Sequence, residues 1–504
     1  MEGSYLNKGL LGLIFVFSAT MIGSFAGYFV RLVLARSITP TEMGLFYSVF
    51  TLITFVMLFV NIGTNPSLTK HISEFKAKKQ YNKLFFSIKF VATIKLTLAL
   101  IASISLWSFS TWLAINFFKT PVAIPVIKIL SVSLILIVLV GLLGAIFQGF
   151  QSMLNLALIL MSENLFFLVM LIMFIYLGFT KNHLLPSFAF LFGWAVTLIL
   201  FTPLLFKYKK YFIKNQLKQA EKKVLSKQLS FFAFASFFIS LGNLVIGYID
   251  TMILTYFRPL SEVGIYNVVL PTVIIIGFFS RSISQVFFPM VSELWAKNLK
   301  VKIVEGVNLL HKYTLITVIP ISMVLFLYPG LILNLLFGVE YIPGAFAMRI
   351  LSVGIIFFTV GMIDQSVISG IGKPKVVTNI LLVAAAFNII TNFIFIPKWG
   401  INGAAITTTL SYILIALLTS IYLRKFIKAR SHIAIWLESL FVALVFVISV
   451  YVLKYLLNLN PYIEAIICLS IGGIIYLFTC YLMKMINFKE LKGFILIILK
   501  KKNL

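Results

Sequence analysis

The stretch VAIPVIKILSVSLILIVLVGLLGAIFQ, residues 122–148, is apolar over its whole length except for one charge, at Lys128. The hydrocarbon core of a membrane is about 30 Å thick and a helix rises about 1.5 Å per residue, so about twenty apolar residues cross it. Apolar runs of this length suit helices, which satisfy their own backbone hydrogen bonds in lipid. The stretch therefore predicts a membrane-spanning α-helix.

Runs of the same kind fill the rest of the chain, in which 61% of the 504 residues are hydrophobic and 11% are charged. A soluble domain has too little interior to bury such a proportion of apolar surface. We predict an all-α membrane protein of about fourteen transmembrane helices, with no sizeable soluble domain. The predicted spans lie near residues 9–35, 43–66, 84–108, 122–148, 152–179, 184–206, 229–257, 263–292, 303–328, 343–369, 375–396, 399–423, 434–456 and 461–485.

The chain is strongly basic, with 42 Lys and Arg against 14 Asp and Glu and a formal net charge of +28. The basic residues lie in short blocks between apolar runs, which is typical of loops at an anionic inner leaflet and not of a nucleic-acid-binding protein. Most of them fall on the side shared by the N-terminus and every second loop. This asymmetry predicts a multi-pass protein of the cytoplasmic membrane with both termini in the cytoplasm. The other side holds Arg36, Lys119, Lys181, Arg258 and Lys398.

Short motifs recur in order at a spacing of about 220 residues, which indicates an internal repeat. KILSV at residues 128–132 recurs as RILSV at residues 349–353, and EMGLF at residues 42–46 resembles EVGIY at residues 262–266. Six predicted helices separate equivalent points, so the two halves have the same orientation. Parallel repeats of this kind enclose the substrate path of many transporters, and alternating access follows from their movement.

The repeat divides the chain into an N-terminal six-helix lobe, residues 1–206, and a C-terminal six-helix lobe, residues 229–424. Residues 207–228 mix lysines with apolar side chains, which predicts an amphipathic cytoplasmic linker. Residues 425–504 supply two further transmembrane helices and a basic cytoplasmic tail. We therefore expect two parallel six-helix lobes plus two C-terminal helices.

Two corners between predicted helices carry specific motifs: LARSITPTEMGLFY at residues 34–47, and IPKWGINGAA at residues 396–405. With these motifs the chain resembles the polysaccharide-biosynthesis branch (the O-antigen-type flippases) of the multidrug/oligosaccharidyl-lipid/polysaccharide exporter superfamily. The resemblance covers nearly the whole chain and implies export of polyprenyl-diphosphate-linked oligosaccharide units. Independently of the family, Pro40 and Gly44 are interpreted as a helix end and a tight reversal at the first corner.

Charged residues within the spans are candidates for function, because each costs about 2.5–3.5 kcal/mol at the centre of a membrane helix. The family's architecture implies that spans one, two, seven and eight line a central cavity, which gives Arg31 and Arg281 a place in its wall. Arg presents paired donors to phosphate oxygens, so both are candidates for binding the substrate diphosphate. The repeat pairs Arg281 with Asn61, which makes the expected substrate site asymmetric. The alternative is a structural ion pair with a carboxylate of the spans, which are Glu163, Asp250 and Asp364.

Asp250 is also a candidate ligand for a cation. Asn388 and Asn392 are four residues apart and share a helix face, and Thr408 belongs to a run of three threonines on the next span. Carboxylate, amide and hydroxyl oxygens form the hard environment that Na⁺ needs. The resemblance implies such a site on spans seven, eleven and twelve, although this sequence has Asn where a second carboxylate is expected. Polar helix packing, and proton coupling through Asp250 or Glu163, remain the alternatives.

Other polar residues of the spans have simpler interpretations. Lys128, Arg349 and Lys454 lie near helix ends, where snorkelling to the interface explains them, whereas Lys95 fits either snorkelling or a buried pair. No phosphate-binding glycine loop, disulfide framework or metal cluster is recognisable, so no cofactor is expected and a Na⁺ or H⁺ gradient is the expected energy source. The histidines are expected in loops or at helix ends, and they are His71, His183, His311 and His432.

The sequence thus predicts a flippase and no enzyme, with a lipid-linked oligosaccharide diphosphate as substrate. Membrane lipids, glycosyltransferases and a polymerase are the expected partners, and nucleic acid is not expected. A multidrug or small-cation exporter of the same superfamily is the main alternative, but acidic and aromatic walls are typical of a cation path. A lipid II flippase is a close alternative, and a membrane-embedded polymerase or glycosyltransferase is disfavoured because the outer loops are short.

Overall fold

The structure is a computed structural model, described here for residues 2–179, 183–212, 217–427, 433–457 and 459–485. These ranges are almost entirely helical and contain no β-strand. Three 3-10 segments, Thr202–Tyr211, Ile275–Gly277 and Val339–Gly344, join α-helices. The α-helices are α1 (Glu2–Ser37), α2 (Pro40–Asn61), α3 (Thr64–Ala77), α4 (Tyr81–Ser108), α5 (Ser110–Asn116), α6 (Ala123–Gly149), α7 (Met153–Tyr176), α8 (Leu185–Phe201), α9 (Gln219–Phe257), α10 (Leu260–Ile274), α11 (Phe278–Ala296), α12 (Lys300–Leu327), α13 (Pro329–Leu336), α14 (Ala345–Gly370), α15 (Pro374–Ile427), α16 (Ile433–Leu456) and α17 (Pro461–Leu482).

Twelve helical segments of the described ranges are long and apolar enough to cross a membrane. One of them, α15, has 54 residues and leaves helical geometry at Gly400, with φ 54° and ψ −131°. At about 1.5 Å per residue its length suffices for two passes. Helix α9 has 39 residues, and from Leu229 to its end it carries one charge, at Asp250, which allows a further pass. The predicted class, an all-α membrane protein of about fourteen spans, is confirmed.

Two spans that the sequence suggests are continuous are interrupted. Helix α2 ends at Asn61, and Ile62 and Gly63 adopt left-handed φ values of 36° and 65° before α3 begins. A Cβ on Gly63 would lie 2.1 Å from the carbonyl oxygen of Ala233 on α9, so both the backbone conformation and the close approach require glycine. In the second half, the 3-10 turn at Ile275–Gly277 separates α10 from α11.

The order and lengths of the helices repeat along the chain. Helices α4, α5 and α6 have 28, 7 and 27 residues, and α12, α13 and α14 have 28, 8 and 26. The interrupted pair α2–α3 corresponds to α10–α11, and α7 and α8 correspond to the two parts of α15. The repeat seen in the motifs is therefore also present in the secondary structure.

By its internal contacts the chain forms two compact units. Unit 1 comprises residues 1–271, 336–341 and 381–407, and unit 2 comprises residues 272–335, 342–380 and 408–504. Within unit 1, α1 packs closely on α7, because Gly23 would place a Cβ 2.8 Å from the Leu160 carbonyl oxygen. The spacing of Gly23 and Gly27 permits this close helix approach.

In unit 2, the two C-terminal helices α16 and α17 share a core with α12. This core contains Ile316 of α12, Val442 and Phe446 of α16, and Cys468 and Tyr476 of α17. Tyr476 Oη donates a hydrogen bond of 2.9 Å to the Ile316 carbonyl oxygen. The C-terminal pair is thus an integral part of unit 2. The tail from residue 486 onward, expected to be basic and cytoplasmic, lies outside the described residues.

The first corner motif begins helix α2 and does not form a tight reversal at Gly44. Thr39 caps the helix, its backbone N–H donates to Glu42 Oε2 at 2.9 Å, and Pro40 occupies the first turn. Gly44 is helical, and a Cβ there would lie 1.8 Å from the Leu260 carbonyl oxygen of α10. The interpretation of Gly44 as a turn residue is wrong, because the glycine serves helix–helix contact.

The contact between α2 and α10 is reciprocal. A Cβ on Gly264 of α10 would lie 1.9 Å from the carbonyl oxygen of Pro40 on α2. Gly44 and Gly264 are equivalent positions of the internal repeat, and both glycines belong to unit 1. Each repeat therefore provides a glycine at which the other repeat's helix crosses.

Candidate functional site

A network of buried polar side chains in unit 1 surrounds Asp250 of α9. Asp250 itself is 3% exposed. Asn392 Nδ2, on α15, donates to Asp250 Oδ1 at 2.6 Å, and Tyr266 Oη, on α10, donates to Oδ2 at 2.7 Å. Both partners are fully buried. Three helices therefore meet at one carboxylate, and charge-assisted hydrogen bonds of this length stabilise its ionised form.

Asn392 links this carboxylate to two further side chains. Its Nδ2 also donates to Asn388 Oδ1 at 3.0 Å, and its Oδ1 accepts a hydrogen bond from the Thr407 hydroxyl. Asn388 and Thr407 are 1% and 0% exposed. We call Asp250, Tyr266, Asn388, Asn392 and Thr407 the Asp250 cluster.

The chemistry of the Asp250 cluster suits a small hard cation. It gathers carboxylate, amide and hydroxyl oxygens, which are the ligands that such cations prefer. The amide nitrogen of Asn392 donates to one oxygen of Asp250 and to the amide oxygen of Asn388. These two oxygens therefore converge on one positively polarised group. One carboxylate among neutral oxygens balances a single positive charge, as in Na⁺ or a proton.

Sequence reasoning named Asp250, Asn388 and Asn392, and the structure brings all three into contact. The hydroxyl that contacts Asn392 is that of Thr407, while Thr408 is buried and belongs to unit 2. Tyr266 was missed. Its only sequence signal is its place on the helix that follows the helix of Asp250.

Arg31 lies half-buried on α1, within unit 1. Its Nη1 donates to the Gly27 carbonyl oxygen at 3.0 Å, and its guanidinium carbon lies 5.0 Å from the centroid of the Tyr47 ring. Its Nε is buried and makes no hydrogen bond within the described part of the chain. Arg31 forms none of the ion pairs found there, so the alternative of a structural pair with Glu163 or Asp250 is not realised.

Asn61 and Arg281, the other predicted substrate contacts, lie at irregular points of the helices. Asn61 is the last residue of α2, next to the break at Ile62, and its carbonyl oxygen accepts from the Thr64 hydroxyl. Arg281 is exposed on α11 in unit 2, and its guanidinium carbon lies 5.9 Å from the Phe278 ring centroid. Asn61 directly precedes an interruption of its span and Arg281 closely follows one, so both lie near incompletely paired backbone groups.

A second buried carboxylate, Asp364 on α14 in unit 2, has a different environment. His311 Nε2 of α12 lies 2.8 Å from Asp364 Oδ1, and the Ser420 and Thr419 hydroxyls donate to Oδ2 at 3.0 and 3.3 Å. Asp364 is fully buried. The expectation that the histidines lie in loops or at helix ends is wrong for His311, which lies inside α12, and for His71, which lies inside α3.

The remaining cations of the spans also have defined contacts. Lys95 is fully buried, and its Nζ donates to Asn65 Oδ1 at 2.6 Å, so the interpretation as a buried pair is correct although the partner is neutral. Lys128 Nζ lies 5.3 Å from the Trp107 ring centroid, and Lys454 Nζ lies 5.5 Å from the Tyr328 ring centroid. Contacts of this kind at helix ends fit snorkelling.

A helical membrane protein with an internal repeat and buried ionisable groups in its spans has the organisation of a secondary transporter. Residues 10–295 match the family model described as polysaccharide biosynthesis protein. The match covers more than half of the 504 residues. The chain belongs to this polysaccharide biosynthesis family.

Curated relatives extend the similarity over the whole chain. Membrane protein MJ1068 of Methanocaldococcus jannaschii is 30% identical over 99% of this chain and 100% of its own length. The capsular polysaccharide biosynthesis protein CapF of Staphylococcus aureus is 27% identical over 82% of this chain and 98% of its own. The probable low-salt glycan biosynthesis flippase Agl15 of Haloferax volcanii is 26% identical over 47% of this chain and 50% of its own.

A lipid II flippase and a multidrug transporter are among the solved structures that share this fold. The lipid II flippase MurJ, in an inward closed conformation, superposes with a TM-score of 0.74 at 16% identity, covering 94% of this chain and 98% of its own. An inward-facing multidrug resistance MATE transporter of the MOP superfamily gives a TM-score of 0.60 at 14% identity, covering 82% and 94%. The resemblance to the polysaccharide-biosynthesis family is confirmed by the family match, and the chain is a multi-pass membrane protein.

Proposed function

We propose that this protein flips a polyprenyl-diphosphate-linked oligosaccharide across the cytoplasmic membrane by alternating access, coupled to a gradient of Na⁺ or H⁺. The Asp250 cluster carries the coupling part of the proposal, because it is a buried carboxylate held by three helices in a chain with few acidic residues. Membership of the polysaccharide biosynthesis family supports the class of substrate.

The environment of Arg31 supports an anionic substrate. A guanidinium that stacks on Tyr47 and uses one nitrogen on the Gly27 carbonyl keeps further donors for a phosphate. Its buried, unpaired Nε is costly unless a ligand supplies an acceptor during transport. Arg281 is the second proposed phosphate contact. Asn61 is proposed to bind the sugar or the phosphate ester through its side-chain amide.

Coupling of transport to the ion gradient would operate through the binding and release of Na⁺ or a proton at Asp250. When Na⁺ or a proton neutralises Asp250, its hydrogen bonds from Asn392 and Tyr266 weaken, and α9, α10 and α15 become free to shift relative to one another within unit 1. When the site is ionised and empty, the same bonds hold the three helices together. Differential binding of the cation to two arrangements of these helices would supply the driving force.

The proposed pathway places this step between two kinds of enzyme. Glycosyltransferases on the cytoplasmic side must build the oligosaccharide on its lipid diphosphate, and a polymerase or transferase on the far side must consume it. Both termini are proposed to be cytoplasmic, in line with the distribution of lysines.

The central test is flipping by the purified full-length chain in proteoliposomes that contain a fluorescent lipid-diphosphate oligosaccharide. We expect protein-dependent loss of the inner-leaflet pool, at a rate that depends on an imposed Na⁺ or pH gradient. Lipid II and a fluorescent organic cation serve as competing cargoes. Transport of the organic cation without flipping of the saccharide lipid would assign the protein to the multidrug exporters instead.

Arg281→Ala should abolish complementation of a flippase-deficient strain while leaving membrane insertion unchanged. Arg424→Ala is the matched control, because Arg424 is exposed at the end of α15. Normal polysaccharide export by Arg281→Ala would remove Arg281 from the mechanism.

Asp250→Asn should make the rate of flipping independent of the Na⁺ or pH gradient. The neutral amide has no negative charge that Na⁺ or a proton could neutralise. Asp364→Asn is the control, because it removes an equally buried carboxylate from unit 2. An unchanged ion response in Asp250→Asn would exclude the Asp250 cluster as the coupling site.

A further inference from the structure

A cleft of about 190 Å³ opens at one end of unit 2, where α12 and α16 end and α14 and α17 begin. Its walls include Tyr328, Arg349, Lys454 and Glu464. The sequence predicts that this end faces outward, away from the lysine-rich loops. A water molecule occupies about 30 Å³ in the liquid, so the cleft has room for a phosphate with a small alcohol attached.

The charged groups of the cleft are available for a ligand. Arg349 and Lys454 are exposed, and neither forms an ion pair with any described residue, Glu464 included. The Arg349 guanidinium has five donors in a planar fork that matches phosphate oxygens. Two cations and one carboxylate leave a single net positive charge, which suits a phosphodiester.

Comparison of the two repeats shows how α16 alters the surroundings of Arg349. In unit 1, Lys128 of α6 stacks on Trp107 at the end of α4, at 5.3 Å. The equivalents in unit 2 are Arg349 and Tyr328, but there the Tyr328 ring is covered by Lys454 of α16, at 5.5 Å. Arg349 is therefore left to line the cleft, beside a second cation that the first repeat does not have.

The surroundings of the cleft favour a lipid over a solute. Tyr451, Tyr455 and Tyr462 are 61%, 89% and 41% exposed on the adjoining ends of α16 and α17. Exposed Tyr at helix ends is typical of the headgroup level of a bilayer. Exposed Val452 and Ile466 continue this surface with apolar side chains that acyl chains can cover.

We infer that this cleft binds the phosphodiester headgroup of a membrane lipid, with Arg349 and Lys454 on the phosphate and Glu464 facing the polar head alcohol or amine. The site depends on α16 and α17, so it gives the C-terminal pair a role in lipid binding. This role is separate from the Asp250 cluster and from the proposed transport substrate.

The test is native mass spectrometry of the full-length protein titrated with short-chain phosphatidylglycerol. Arg349→Gln and Lys454→Gln should each weaken the tightest lipid-binding step about tenfold, as loss of a charge-assisted contact does. Glu464→Gln should strengthen binding of this lipid, because it removes a negative charge beside the phosphate while the amide oxygen still accepts a hydrogen bond from the glycerol head. Partial unfolding cannot produce such a gain. Lys128→Gln, at the equivalent position of unit 1, is the matched control and should bind as the unaltered protein does.

Two competitors distinguish binding of a phospholipid from binding of free phosphate or of acyl chains alone. Neither inorganic phosphate nor short-chain diacylglycerol should displace the phospholipid, because each lacks one half of the recognised group. Displacement by phosphate alone would overturn the assignment to a lipid, and displacement by diacylglycerol would overturn the role of the cations. Unchanged binding in both Arg349→Gln and Lys454→Gln, or an equal loss in Lys128→Gln, would refute the site.

Discussion

Asn392→Asp should make the stability of the protein depend on Na⁺. Asn392 is fully buried, and its Nδ2 lies 2.6 Å from Asp250 Oδ1. In the variant an oxygen replaces this nitrogen, so two carboxylates face each other. Two unit charges 2.6 Å apart repel by about 6 kcal/mol at an effective dielectric constant of about 20.

This repulsion is relieved in one of two ways. One carboxyl retains a proton, as in other close carboxylate pairs, or a cation binds between the two with the help of the Asn388 and Thr407 oxygens. A cation at a hundred times its Kd stabilises the folded state by about 2.7 kcal/mol. We therefore expect Asn392→Asp to melt at a clearly higher temperature in sodium chloride than in choline chloride.

The assay is thermal unfolding of the purified full-length protein in detergent, in the two salts at equal ionic strength and at several pH values. Asn392→Ala is the control, since it removes the same hydrogen bonds without adding a charge. The Na⁺ effect in Asn392→Asp should exceed that in the unaltered protein and in Asn392→Ala. Equal melting temperatures in both salts at every pH would refute the view that these oxygens converge on a cation position.

Three further predictions concern packing and buried polar groups. Gly44→Ala should destabilise the protein by about 3 kcal/mol, because the methyl group would overlap the α10 backbone, while Gly473→Ala, which meets nothing within 4 Å, should not; equal melting temperatures would contradict the close crossing. Asp364→Ala should also lower the free energy of unfolding by about 3 kcal/mol, since His311 Nε2 and the Thr419 and Ser420 hydroxyls lose their hydrogen-bond partner. Asp364→Asn should lower it less in the same melting assay. Lys95→Met should raise the melting temperature, because the fully buried ammonium has one neutral partner; a lower melting temperature would reveal a role for the charge.

The number of spans, the repeat and the break at Gly400 could be predicted from sequence because each has a local cause. Lipid demands about twenty apolar residues per pass, and Pro397 and Gly400 in the same short motif are residue types that end or turn a helix. The three residues Asp250, Asn388 and Asn392 were also recognisable, since polar groups in apolar helices need partners.

The rest depends on how the helices are rotated and how closely they approach. Residues Asp250 and Tyr266 meet only because the corner between α9 and α10 turns both side chains inward. Gly44 signals a turn when read locally, whereas its role depends on a carbonyl of α10 more than two hundred residues away. The pair His311–Asp364 was missed because the histidine was judged by its neighbours along the chain and not by the helix packed against it.

The reciprocal contact between α2 and α10 has a meaning for the origin of the molecule. When position i of one chain meets position j of its partner and j meets i, the interface is that of a two-fold homodimer. Gly44 and Gly264 fulfil this relation within a single polypeptide. Two identical half-length subunits could therefore form the same crossing, and a gene fusion would preserve it without altering the path of either backbone.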